Sequence, residues 1–244
     1  QWLTGVVRSL PQTRRVTAIT SKTKACTNAE TTLELDSHAD TCVLGRDVLI
    51  IQDFERPVEV QGFDPELGTQ MFRTVSGVVA YHHPITGECF HLVIHQAIHV
   101  PHLEHHLLCP MQCRVNDVTV NDLPKFLAID PTENTHAIIF QDVDTDDGPS
   151  RSITLPLELK GVTSVLNVSV PTADEFASHT CTRLEFTSEH LIWDPNDPSF
   201  GEQERAMTDY TGSIIDTAAN ARGRSLIIGA ISTFYKSIFN KFCK

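Results

Sequence analysis

The chain has 244 residues, 41% of them hydrophobic and 20% charged, with a formal net charge of −12. Such a composition can bury one sizeable core or two small ones, and it excludes a collagen-like, low-complexity or wholly disordered chain. Charge is unevenly spread: residues 1–35 carry five Lys/Arg against two Asp/Glu, residues 36–150 five against eighteen, and residues 151–244 nine against eleven, so the middle block stands at −13. An acidic block repels phosphate backbones, which leaves only the flanks as places for nucleic acid and gives no strong signal there.

No apolar run is long enough to cross a bilayer, and no signal-peptide pattern is present. The start at Gln1-Trp2-Leu3 reads as a piece of a longer polyprotein. Seven cysteines, at 26, 42, 89, 109, 113, 181 and 243, are an odd number at low density. They favour a reducing, intracellular and cytoplasmic setting over a disulfide scaffold.

Residues 1–29 are rich in Thr, Ser, Arg and Lys without a sustained period, and are expected to be a mobile basic lead-in. An RNA-touching arm there lacks the interleaved aromatics that would support it. Leu33 and Leu35 alternate with Glu34, predicting a strand that runs into Asp36-Ser37-His38-Ala39-Asp40-Thr41. A carboxylate is thereby delivered from a rigid element onto a tight loop. The plainer reading of Asp-Ser at a strand end is a turn in which the aspartate satisfies its own backbone.

Pro57–Val60 and Met71–Val75 predict a hairpin whose long tip contains Gly62, Phe63 and Gly68. A second hairpin is predicted from Val78–Tyr81 and Cys89–Ile94 around the turn 82–87, followed by another apolar strand over His95–Pro101. Next comes Val100-Pro101-His102-Leu103-Glu104-His105-His106-Leu107-Leu108-Cys109-Pro110.

Asp-Ser-x-Ala-Asp-Thr after an apolar strand resembles the active-site loop of retropepsin-like aspartic proteases, and the later Val-Pro-x-Leu…Leu-Leu stretch is similar to the protease region of copia-type retrotransposon Pol polyproteins. The two matches span residues 30–128, about one retropepsin subunit. The resemblance implies an all-β fold: a closed acid-protease β structure with one short helix after Leu108. It implies that Asp36 is the catalytic acid/base, that Ser37 braces the loop and Ala39 packs beside the water site, and that Asp40 and Thr41 support them. Leu107 and Leu108 would lie beneath the loop, and Gly62, Phe63 and Gly68 would belong to a flap. With one such motif per chain, the second carboxylate would come from an identical subunit in a homodimer. Two close carboxylates share one proton, so one can deprotonate water while the other protonates a carbonyl. The implied activity is endopeptidase cleavage of the element's own polyprotein, without metal or cofactor. The chain departs from the family pattern at His38 and at Cys109, where the family has Gly.

His102, His105, His106, Cys109 and Cys113 are zinc-ligand types, but their spacing matches no knuckle, and solvated or hydrogen-bonded histidines are expected. Asp142–Pro149 lacks the closing Glu of a calcium loop and is expected to be solvated. Residues 129–170 are expected to form an additional β segment, with Pro156 at an edge. Residues 171–212 are expected to be an acidic irregular linker, and residues 213–244 a basic tail whose apolar positions from 227 to 242 share one helical face. Two other readings stay open: a catalytically inactive protease-like dimerisation module, for which His38 speaks, and a nucleic-acid-binding linker before an integrase.

Overall fold

The computed structural model describes residues 30–61, 69–145 and 148–215. The lead-in 1–29, the flap candidates Gly62, Phe63 and Gly68, and the helix expected within 213–244 lie outside the described residues. The chain divides into two compact units at His190/Leu191.

The first unit is predominantly β. Its strands are β1 (Glu30–Leu35), β2 (Val43–Leu44), β3 (Leu49–Gln61), β4 (Thr69–His82), β5 (Cys89–His99), β6 (His106–Leu108), β7 (Thr119–Asn121), β8 (Ala137–Thr145), β9 (Gly148–Pro156), β10 (Glu158–Lys160), β11 (Thr163–Ser169) and β12 (Thr182–Glu185). Helices α1 (Pro110–Val115) and α2 (Ala173–Ala177) are short. The main sheet runs β10-β11-β1-β6-β2-β5-β4-β3, with β12 on β5. A further pairing of Ser169 with Ala80 joins β11 to β4, so that β11, β1, β6, β2, β5 and β4 close into a ring.

Strands β3, β4 and β5 form a meander, and the two predicted hairpins share β4 as one continuous strand. A bulge between Val75 and Gly77 lets β4 keep pairing with β5. A Cβ at Gly77 would come within 2.6 Å of Leu44 and 2.7 Å of Val48, so the missing side chain makes room for the β2 turn. Leu33, Leu44, Val79, Ile94, Leu108 and Phe186 form part of the buried core. Each such side chain, fully removed from water, contributes about 1.5–3 kcal/mol before entropy is counted.

Three expectations need correcting. The segment 129–170 is not one addition: β8 and β9 form a separate three-stranded sheet with β7, whereas β10 and β11 enter the main sheet, β11 lying antiparallel to β1. The whole segment belongs to the first unit, since Ile138, Phe140, Ile153 and Leu155 of the small sheet join the same buried cluster as Leu33 and Leu166 of the main one. Residues 142–145 extend β8 rather than forming a loop. The segment 171–212 is irregular only in part, since it holds α2 with a Thr172–Glu175 capping box and β12 along β5. Beyond β12, Phe186 N–H donates to Val93 O at 2.9 Å, and Thr187 Oγ1 accepts from His95 N–H at 2.7 Å. Alternation of Leu184 and Phe186 drives that segment into the core against the polar average around it. The second unit holds α3 (Ser199–Ala206), with the Trp193 and Phe200 rings 5.7 Å apart.

Candidate active site

Thr31 and Leu33 point inward from β1, and the strand stops where Asp36 turns the chain out of the sheet. Strand β6 lies between the two strands that this loop connects. It runs parallel to β1, with Glu34 opposite Leu107 and Leu35 opposite Leu108, and antiparallel to β2, with Val43 opposite Leu107. A three-residue strand with neighbours on both sides is thus wedged under the loop 36–42. Leu108 is 1% exposed and Leu107 half-buried.

Both ends of the loop are fastened to the end of β6 and the segment that follows it. At the near end, Asp36 N–H donates to Leu108 O at 3.1 Å. At the far end, Cys42 N–H donates to Gln112 Oε1 at 2.8 Å, Cys42 O accepts from Ile98 N–H at 2.9 Å, and Cys42 Sγ accepts from Cys109 N–H at 3.3 Å. Cys109 also caps α1, its sulfur accepting from Gln112 N–H. A glycine at that position would leave Gln112 N–H without this acceptor, so the cysteine has a local structural role. Gln112 and Cys42 were not among the residues singled out by motif; a buried amide in the first turn of a helix is their only signal in the sequence.

Between these fasteners the loop faces solvent. The Asp36 side chain is 35% exposed and His38 97%. Ser37 and Asp40 are exposed, while Ala39 and Thr41 are half-buried. Asp36 Oδ1 accepts from His38 N–H at 2.8 Å, which orients the carboxylate through the backbone. His38 is not one of the six non-glycine residues with φ between +51° and +63° among the described residues, so the side chain costs no left-handed strain. Its Nδ1 lies 3.9 Å from Asp36 Oδ1.

Under β2, Gly45 permits a close crossing: a Cβ there would sit 2.3 Å from His105 O and 2.5 Å from Leu103 O. Gly45 N–H donates to His106 Nδ1 at 3.0 Å, and burial holds His106 neutral by lowering its pKa to about 4. The predicted zinc-type residues scatter. His106 serves Gly45, His102 lies against Phe72, and Cys109 and Cys113 pack with Cys42. Burial raises the pKa of Cys109 and of Cys113, so both are protonated thiols and poor nucleophiles. What the arrangement offers chemically is the Asp36 carboxylate, with that of Asp40 exposed further along the same loop, on a loop fixed from below. No protein-family model, curated protein or solved structure matches this chain.

Proposed function

We propose that the chain is an aspartic endopeptidase of the retropepsin type that processes the polyprotein of a copia-type retrotransposon in an intracellular setting. Asp36 from each of two identical subunits meets at a two-fold axis, and the pair holds one proton. The unprotonated carboxylate takes a proton from water as the water oxygen attacks the scissile carbonyl carbon, and the protonated one gives its proton to the carbonyl oxygen. The nitrogen of the cleaved amide is then protonated as it leaves.

One observation carries this reading: β6 is inserted between β1 and β2, so that Leu108 O takes the Asp36 N–H while the carboxylate stays open. The hydrogen bond from His38 N–H to Asp36 Oδ1 is the turn in which the aspartate satisfies its own backbone, but such a turn alone needs neither the inserted strand nor the second fastener at Cys42. The alternative reading, an inactive dimerisation module, is favoured by the approach of the His38 imidazole to Asp36.

Both are tested by incubating the purified chain with peptides drawn from its own sequence, at mildly acidic pH and near neutrality. Cleavage is expected in the wild type, with loss in Asp36→Asn of more than about 10²-fold, the low end of what a positioned acid–base group supplies. His38→Gly should cleave as fast or faster. A wild type inert at both pH values, with Asp36-dependent cleavage appearing only in His38→Gly, replaces the enzyme by the inactive module. Cleavage that survives Asp36→Asn overturns both roles given to this loop.

A further inference from the structure

At the far end of β5 from the loop, Cys89 and His91 stand two residues apart on one face of the strand. Strand β12 lies parallel beside them, with Thr182 opposite Phe90 and Arg183 opposite His91, which brings Cys181 next to Cys89. The two cysteines are joined as a disulfide with Cα atoms 4.9 Å apart, which departs from the reducing setting that the cysteine count favours. The pairing could not be read from spacing because 92 positions separate the two residues.

His91 is the unexplained member. It is 1% exposed, and its Nδ1 has no hydrogen-bond partner among the described residues. An unsatisfied buried polar atom costs about 1–3 kcal/mol, so it calls for a ligand. A ring nitrogen of His91 and the two sulfurs all lie within 4.8 Å of one another, and among the described residues this is the one group of that kind. Tetrahedral zinc with bonds of about 2.0–2.3 Å spaces its ligands by roughly 3.3–3.8 Å, so small side-chain rotations suffice. The ring packs edge-on against Phe176, over which Arg183 is stacked.

We infer that Cys89, His91 and Cys181 form a zinc site in the thiol state of the protein, with solvent in the fourth position. Two equivalents of a small thiol reduce the disulfide, giving two cysteine thiols and one small-molecule disulfide. Zinc then displaces the two thiol protons and takes the neutral imidazole nitrogen, forming an uncharged Zn(S)2(N) centre. A small-molecule disulfide reverses the sequence: it accepts two electrons from the thiolates, the Cys89–Cys181 bond closes, and zinc leaves. Soft sulfur with imidazole selects zinc over magnesium or calcium. In either state the same bridge ties β12 to β5, so the edge of the sheet stays closed when the redox setting changes.

The test uses the full chain, reduced with a phosphine so that no added thiol competes, and loaded with zinc or with cobalt as a spectroscopic probe. The reduced wild type is expected to hold one metal ion with thiolate-to-cobalt charge transfer, and the oxidised wild type none at this place. Cys181→Ser and His91→Gln should lose the ion, while oxidised His91→Gln still closes the Cys89–Cys181 bond, read by peptide mapping. X-ray absorption at the zinc edge of the wild type, which needs no variant, should show two sulfur ligands and one imidazole. No metal in the reduced wild type, an all-sulfur shell, or retention in either variant overturns the site.

Discussion

Strands β6 and β12 are alike in being short and in lying parallel to a strand far away in sequence, β6 beside β1 and β12 beside β5. They are held in different ways. β6 has sheet neighbours on both sides and fastens the Asp36 loop through backbone and amide hydrogen bonds. β12 pairs only with β5, and its start is pinned by the Cys89–Cys181 bond. An interior strand needs no cross-link because both its hydrogen-bonding edges are satisfied, whereas an edge strand of four residues frays without one. The difference teaches where each perturbation should be felt: at the edge, covalent chemistry decides, and at the site, hydrogen bonds do.

Breaking the covalent bridge should have the largest effect on stability. For a bond closing about 92 residues, the chain-entropy relation puts the loss at about 4–5 kcal/mol as an upper figure. Urea unfolding of the oxidised wild type against Cys181→Ser measures it. Hydrogen exchange then sharpens the contrast: amides of Arg183–Phe186 should speed up, and those of Asp36 and Cys42 should not. Equal acceleration in both regions would mean that the bridge supports the site as well.

Acid should act on the other region. Because the folded-state pKa of His106 lies near 4 against an ordinary 6.5, the unfolded chain binds a proton first as pH falls. Stability conferred by the neutral imidazole is therefore complete above about pH 6.5, declines down to about pH 4 and levels off below, by about 3 kcal/mol in all. Protonation puts a second donor against Gly45 N–H, with Asp47 opposing the loss and His105 and His99 adding to it. His91, His95, His99 and His136 are lowered by burial too and act in the same direction. A melting temperature that falls from neutrality to mild acid, with a shallower slope in His106→Asn, is expected; equal slopes would acquit His106.

Gln112→Ala should cost least in stability, about 1–3 kcal/mol, by leaving the buried Cys42 N–H without its acceptor. Its larger effect should be on catalysis, lowering kcat more than it raises KM, since the far end of the loop would lose its fastening. A change in KM alone would place Gln112 outside the positioning of Asp36.

Much of this contrast was readable from the residues, and the unread part has physical causes. Alternation in Leu33-Glu34-Leu35 marks β1 because that signal is local, whereas the short helix after Leu108 is an expectation of the resemblance. The joining of β11 to β1 and of β12 to β5 is not local. Leu184 and Phe186 alternate with polar residues as a strand requires, but four residues amid Thr, Asp and Pro are too few to stand out. Gln112 and Cys42 carry no motif at all; only the fold brings an amide and a backbone N–H separated by 70 positions within 2.8 Å.

The central claim is that one Asp36 makes half a site. Mixing tests it most directly: the wild type is held at fixed total chain concentration while Asp36→Asn replaces it in steps, with time allowed for subunits to exchange, and cleavage of a single peptide is followed. Two carboxylates drawn from two copies predict a rate that falls with the square of the wild-type fraction. A rate that falls only in proportion to that fraction would mean that each chain works alone, and would contradict the shared dyad.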